Sequence, residues 1–203
     1  MLPRFYLVID RARWLPRLLP VGLKLVQLRA KGLEPADLAT EIRDALAATR
    51  SAGATLVVND FWREAIDIGA EWVHLGQEDL SIADVAAIRR AGIRIGVSTH
   101  SHEELGTALS IDPDYVALGP IYPTTLKVMP WAPQGLARIG EWKRLIGERP
   151  LVAIGGITLE RAPGVYAAGA DSIAVVSDVL SHTDPEGRLA DWLNIAGEGV
   201  RTP

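Results

Sequence analysis

The stretch LVAIGGITLERAPGVYAAGADSIAVVS, Leu151 to Ser177, decides the fold. It opens with an apolar run, Leu151 to Ile154, and breaks at Gly155-Gly156. A helical stretch, Arg161 to Ala168, follows, with Thr158 placed as its N-cap and Gly169 as its C-terminal stop. A second apolar run, Ser172 to Val175, then ends at Val176-Ser177. Neither run alternates polar with apolar residues, so both faces of each strand are expected to be buried. That is the signature of a parallel sheet with helical crossovers.

Working outward, the same unit recurs. Further strands are predicted at Phe5 to Ile9, Lys24 to Leu28, Thr55 to Val58, Trp72 to Leu75, Ile93 to Val97 and Tyr115 to Leu118. Helical spacing of apolar residues marks Glu34 to Ala52, Ser81 to Ala91, Ser101 to Ser110, Gly135 to Ile146 and Asp184 to Ile195. Ser101 with Glu104 three residues on forms a capping-box pattern, Ser81 is a second N-cap candidate, and Gly53, Gly69 and Gly92 follow helical stretches. Eight strands predict a single-domain (β/α)8 TIM barrel over residues 1–203, with Arg201 to Pro203 a frayed end. The first unit is weakest, because Pro16 and Pro20 leave room only for a short helix. An open doubly wound sheet is the alternative; it would gather ligands at one switch point instead of around a ring.

Composition agrees with such a domain. The chain has 203 residues, 48% of them hydrophobic, enough for one substantial core. A formal charge of -4 argues against nucleic acid or an anionic membrane as a partner, so an anionic ligand must be held by specific residues. There is no cysteine, which excludes disulfides and thiolate chemistry, fits a cytoplasmic location and leaves only oxygen or histidine as metal ligands. No apolar run reaches the roughly 18 residues of a membrane span. Met1 to Asp10 enters a strand-like run directly, so no export signal is expected.

In a barrel the C-terminal ends of all strands open onto one face, and there the polar residues of this chain accumulate. Arg29 and Lys31, two apart after the second strand, point the same way if the chain stays extended and could then grip a diphosphate, although such a pair alone reads more simply as solvated loop residues. Asn59 can donate to a phosphate through its amide, and a turn role at the strand end is the alternative. Asp60 and Asp79, after adjacent strands, would present two carboxylates a few ångströms apart; with substrate phosphate oxygens they form a typical Mg²⁺ site. As isolated residues each would read more simply as a helix N-cap. His74 lies inside a strand and reads first as a buried, hydrogen-bonded structural residue, while Gln77 and Ser98 are polar liners. Gly119 to Gln134 is too long for an ordinary barrel loop and reads as a lid, from which Lys127 would close over a diphosphate and Thr124 would hydrogen-bond it. Gly155-Gly156 and Val176-Ser177 offer backbone N–H groups where barrels commonly hold a phosphate. His100, His102 and His182 lack metal-ligand spacing.

Taken in order, the segments QLRAK, VND, HLGQED, GVSTHS, GPIYPTTLK, AIGGI and AGADSIAVVS resemble the thiamine phosphate synthase and thiazole tautomerase superfamily over roughly Phe5 to Leu193. The resemblance implies a (β/α)8 barrel that joins hydroxymethylpyrimidine diphosphate to thiazole phosphate, releasing diphosphate. It further implies that Arg29, Lys31, Asn59 and Lys127 hold the diphosphate, that Gln27 also binds substrate, and that Asp60 and Asp79 bind Mg²⁺. Gly156, Val176 and Ser177 would hold the thiazole phosphate. Ser98, Thr124 and Lys127 would form the reacting centre. Self-association into a homo-oligomer is left open.

Two features bear on which member of the superfamily this is. The synthase pattern reads Pro-Thr-x-Thr-Lys, whereas here Leu126 stands for the second threonine, ahead of Val128-Met129-Pro130-Trp131. The missing hydroxyl is expected to cost on the order of 1 kcal/mol unless Thr125 substitutes. In the tautomerase pattern a histidine follows the glycine where this chain has Pro120, which cannot shuttle protons, so the synthase is favoured. A non-catalytic barrel that binds a thiamine precursor and regulates a partner is the third reading. Against it stands the acidic pair, which would repel an anion in the absence of metal.

Overall fold

The computed structural model describes residues 2–124 and 132–199. Eight parallel strands close into a barrel in sequence order, the first pairing with the eighth. They are β1 Phe5–Ile9, β2 Leu25–Leu28, β3 Thr55–Asn59, β4 Trp72–Leu75, β5 Arg94–Thr99, β6 Tyr115–Leu118, β7 Leu151–Ile154 and β8 Ser172–Val175. The open-sheet alternative is thereby excluded. Strand residues are nearly all buried, because one set of side chains faces the barrel interior and the other the helical jacket. Tyr6, Val8, Leu25, Val57, Tyr115, Ala117, Val152 and Ala174 pack together as the inner core. Phe5, Leu7, Val26, Val58, Val73, Val116, Leu151 and Ile173 join the larger outer core beneath the helices.

The jacket follows the predicted helices with local differences. The first crossover is the short one the prolines demand: α1 Leu15–Leu18 is one turn, flanked by 3-10 turns at Ala12–Trp14 and Leu19–Val21. α2 Pro35–Ser51 buries Leu38, Ile42, Ala45, Leu46 and Thr49, a stripe of one helical face. α6 His102–Ser110 has Ser101 as N-cap, its side chain accepting from the Glu104 N–H. The Glu104 carboxylate accepts from the His100 N–H, one residue before the place a capping box predicts. α7 Gly135–Ile146, α8 Ala162–Ala167, α9 Ser177–Leu180 and α10 Pro185–Ala196 complete the later units. Trp142 on α7 donates from its indole to Thr99 Oγ1 at 2.8 Å, and that hydroxyl donates to the Ala117 carbonyl, so α7 is tied to β5 and β6 through buried groups that are all satisfied.

Three local expectations need correction. The helix read over Ser81 to Ala91 is two helices, α4 Gln77–Ile82 and α5 Val85–Arg90. The break comes where Ala83 turns extended and Asp84, not Ser81, caps α5 by accepting from the Ala87 N–H. Thr158 is not an N-cap; Arg161 stands there, while the Thr158 carbonyl accepts from the Arg161 and Ala162 N–H groups in the turn before α8. A helix unpredicted between β3 and β4, α3 Trp62–Ile68, buries only Trp62 and Ala65. Among the described residues no helix is long and apolar enough to cross a membrane.

Candidate active site

The two ends of the barrel use their carboxylates differently. At the N-terminal end, Asp114 accepts from the Ile95 N–H and pairs with Arg89 at 2.5 Å, and Asp171 accepts from the Leu151 N–H and pairs with Lys143 at 2.8 Å. These acids tie one strand to the next. A depression of about 460 Å³ beside Arg89, Asp112 and Arg149 lies at that end, where Arg89 pairs with Asp114 and Arg149 with Asp112.

At the C-terminal end the carboxylates face each other. Asp60 follows β3 directly with φ 66°, a left-handed conformation that a non-glycine residue rarely holds. Its N–H donates to the His74 carbonyl and its own carbonyl accepts from the Trp62 N–H, so the backbone is pinned on both sides. Asp79 sits in the first turn of α4, its carboxylate folded back over Gly76, where an added Cβ would stand 3.2 Å from Oδ2. Neither aspartate caps a helix, since the N-caps are Phe61 and Gly76. The two carboxyl groups lie within hydrogen-bonding reach, and burial followed by the Asp60 charge raises the Asp79 pKa. Lys31 Nζ is 3.4 Å from Asp60 Oδ2 and sets a positive charge against the pair.

Lys31 reaches this point although the chain after β2 does not stay extended, because the Lys31 N–H donates to the Arg29 carbonyl. Arg29 is exposed on the same rim. Asn59, the last residue of β3, is 5% exposed, and its amide nitrogen is buried without a hydrogen-bond partner. A buried unmet donor beside a carboxylate pair is costly unless a ligand meets it.

Below this rim lies a second polar layer inside the barrel. His74 joins Tyr115 Oη through Nδ1 and Ser98 Oγ through Nε2, both at 2.8 Å. Tyr6 Oη is 3.0 Å from Tyr115 Oη and accepts from Gln27 Nε2 at 2.9 Å. Gln77 donates to the Ser98 carbonyl at 2.6 Å. Burial lowers the His74 pKa to about 4, so the imidazole is neutral, and raises that of Tyr115. His74 is thus the hydrogen-bonded buried histidine the sequence suggests, in contact with a predicted site residue, Ser98. Tyr6 and Tyr115 gave no signal in the sequence; an aromatic residue in a strand reads as core.

The third part of the mouth is backbone. Gly155 and Gly156 have φ 99° and 63°. A Cβ at Gly155 would stand 2.7 Å from Pro120 Cα, and one at Gly156 2.4 Å from the Pro123 carbonyl oxygen. The glycines therefore let the chain after β6 lie against β7, where Ile121 and Tyr122 donate to the Ile154 and Gly155 carbonyls. Gln134 and Gly135 donate to the Pro120 and Ile121 carbonyls, fixing both roots of the long loop. The Gly156 carbonyl accepts from Arg161, whose guanidinium lies 4.5 Å over the Tyr122 ring. Val176 is half-buried and Ser177 exposed at the start of α9. Thr124 is half-buried after that packed segment, whereas Thr125, Leu126, Lys127 and Val128 to Trp131 lie outside the described residues. His100, His102 and His182 have local partners, Glu104, Glu141 and the Asp184 carbonyl.

Among the described residues no three His, Asp or Glu side chains gather as a metal cluster. The donor set at Asp60 and Asp79 suits a hard divalent cation that takes its remaining ligands from water or phosphate oxygen.

Comparison with known proteins agrees with this arrangement. A family described as thiamine monophosphate synthase matches residues 5–179. A thiamine-phosphate synthase of Rhizobium etli is 58% identical over 189 residues, 93% of each chain. One of Cronobacter sakazakii is 48% identical over 194 residues, 96% of this chain and 92% of its own. The solved thiamine phosphate pyrophosphorylase from Pyrococcus furiosus superposes with a TM-score of 0.84 at 27% identity, covering 97% of this chain and 96% of its own. With the barrel closed, the acidic pair at its mouth and the match running through both, the chain belongs to the thiamine monophosphate synthase family.

Proposed function

We propose that this chain is a thiamine-phosphate synthase, joining hydroxymethylpyrimidine diphosphate to thiazole phosphate with release of diphosphate. The observation that carries the reading is the facing pair Asp60 and Asp79 with Lys31 against it, on the rim where Asn59 holds an unmet donor.

The reaction breaks the bond between the pyrimidine methylene carbon and a diphosphate oxygen, and the thiazole nitrogen forms the new bond to that carbon. Charge develops on the leaving diphosphate, so groups that stabilise it lower the barrier. Lys31 and Arg29 would bind that charge, and the Asn59 amide would donate to a phosphate oxygen. Lys127 would close over the same group and Thr124 would hydrogen-bond it. Asp60 and Asp79 would hold Mg²⁺, which supplies further positive charge against the diphosphate. Gln27, His74 and Ser98, linked in the buried polar layer, would form a polar wall behind the reacting carbon. The backbone at Gly156, Val176 and Ser177 would hold the thiazole phosphate, placing its ring in line with the pyrimidine. A closed site would keep water from trapping the pyrimidine cation. A cytoplasmic setting matches the absence of cysteine.

The tautomerase reading is disfavoured at Pro120, which packs against Gly155 and has no proton to exchange. Purified protein given both substrates should form thiamine phosphate only when Mg²⁺ is present, and Asp60→Ala or Asp79→Ala should abolish turnover. Near-normal rates in either variant would remove the metal role. No product at all, with thiazole phosphate still bound, would move the assignment to the tautomerase or to a regulatory barrel.

A further inference from the structure

The polar layer beneath the rim is one unbroken hydrogen-bonded chain across five of the eight strands: Gln27 on β2, Tyr6 on β1, Tyr115 on β6, His74 on β4 and Ser98 on β5. Each link is between 2.8 and 3.0 Å. A phenol oxygen can accept twice but has one proton to give, and a neutral imidazole has one donor and one acceptor nitrogen; with each buried phenol placing its proton on a partner within the chain, the direction of the first link fixes the others. Gln27 Nε2 is a donor. Tyr6 accepts from it and passes its own proton to Tyr115, and Tyr115 donates to His74 Nδ1. His74 then carries its proton on Nε2 and donates to Ser98 Oγ. The Ser98 hydroxyl proton has no place in the chain and is free to point into the pocket.

We propose that Tyr6 and Tyr115 are positioning residues that hold His74 in its Nε2-protonated tautomer and thereby set the Ser98 hydroxyl as a hydrogen-bond donor toward an acceptor atom of the bound substrate. The assignment of that substrate as a heteroaromatic ring with acceptor nitrogens rests on the synthase reading; the direction of the chain does not.

The packing holds the relay in place. Gly96, paired in register with both His74 and Tyr115, leaves the space the Tyr115 ring occupies, since a Cβ there would stand 2.0 Å from Cζ. The imidazole stacks on that ring at 5.6 Å and 15°, and the Tyr6 ring meets it edge-on at 6.1 Å and 84°. All three rings are buried, and burial disfavours the charged form of each. The opposite direction would need Gln27 to accept through Oε1. Every link would then reverse, the proton would sit on Nδ1, and Ser98 would donate to His74 and could only accept from a ligand.

The test is the pair of imidazole nitrogen resonances of His74 in the ¹⁵N-labelled full-length protein without substrate. The expected result is a protonated, pyrrole-type Nε2 and a proton-free, pyridine-type Nδ1; the reverse pattern overturns the proposal. As a second arm, Tyr115→Phe should give a mixture of tautomers and raise KM for the pyrimidine diphosphate about tenfold, with KM for thiazole phosphate unchanged. Adding Ser98→Ala to Tyr115→Phe should then cost much less than Ser98→Ala alone. An unmixed tautomer with additive losses would show that Tyr115 only packs. A wild-type protein without synthase activity but with the Nε2 tautomer would defeat the functional reading and leave the relay standing. Synthase activity with the Nδ1 tautomer would do the opposite.

Discussion

Asp60 carries both a charge and a strained backbone, and substitution can separate the two. Its φ of 66° lies where an L-residue is disfavoured by roughly 1–2 kcal/mol, with Asp and Asn toward the lower end and Ala toward the upper. Comparing Asp60→Gly with Asp60→Ala removes the carboxylate in both cases, so lost pairing with Lys31 and relieved repulsion from Asp79 cancel between them. What remains is the backbone. Glycine avoids the conformational cost but gives back about 0.4–1 kcal/mol through the greater freedom of its unfolded chain. The glycine variant should therefore be more stable than the alanine variant by about 0.5–1.5 kcal/mol, about 1–5 °C in Tm for a chain of this size. Thermal unfolding followed by circular dichroism, in chelator at neutral pH, measures the difference. Both variants should be inactive in the synthase assay with Mg²⁺ supplied. An alanine variant as stable as the glycine one would show that the Asp60 conformation stores no strain; such strain is expected where a scaffold forces a functional group into position.

Five further outcomes follow from the same geometry. Gly96→Ala drives a methyl into the buried Tyr115 ring and should cost about 2–4 kcal/mol from overpacking and disturbed hydrogen bonds, seen as a fall in the denaturant midpoint; a cost below about 1 kcal/mol would contradict the ring placement. Gly156→Ala places a Cβ against the Pro123 carbonyl and should raise KM for thiazole phosphate severalfold more than KM for the pyrimidine diphosphate, measured by varying each substrate in turn. With Mg²⁺ held at Asp79 as proposed, the raised pKa of that group would let protons compete with the metal above the ordinary carboxylate range, so Mg²⁺ affinity by calorimetry should weaken as pH falls through that raised value, and Asp79→Asn should flatten the dependence. For the same group the folded protein binds more protons than the unfolded chain, so the metal-free protein loses stability as pH rises through the interval. His74 acts the other way: its pKa lies at about 4 in the fold against about 6.5 unfolded, so stability falls as pH drops from about 6.5 toward 4, and His74→Asn should remove that part of the slope in denaturant titrations.

The barrel was legible because its strands are short, β-branched and apolar on both faces, a pattern few other folds produce. What stayed hidden had too little sequence to speak for it. The seven residues of α3 bury only Trp62 and Ala65, less than a full helical stripe. The break between α4 and α5 depends on one side-chain cap at Asp84 inside a stretch whose apolar spacing runs on regardless. The site divides the same way. Asp60, Asp79, Asn59 and Lys31 pointed to a candidate site only in combination, since each alone has an ordinary structural reading as a helix cap, turn or solvated loop residue; closure brings them to one rim. Gly155 and Gly156 were readable as a feature, but their reason was not: the contacts that forbid a Cβ come from Pro120 and Pro123, more than thirty residues earlier.

The interior relay shows the limit more sharply. Tyr6 and Tyr115 are 109 residues apart, and nothing local distinguishes either from an aromatic residue filling a barrel. Their hydroxyls matter only because the barrel sets β1, β4 and β6 around one narrow interior, where a buried oxygen without a partner would cost on the order of 1–3 kcal/mol. Once Gln27 and Ser98 stand at the two ends, each intervening group must be both donor and acceptor, and Tyr, Tyr and neutral His are three side chains able to be both while filling the space of a hydrophobic core. The same burial that keeps these groups uncharged makes the chain directional. A barrel interior that stabilises the fold can therefore also decide how a serine at its mouth presents its proton.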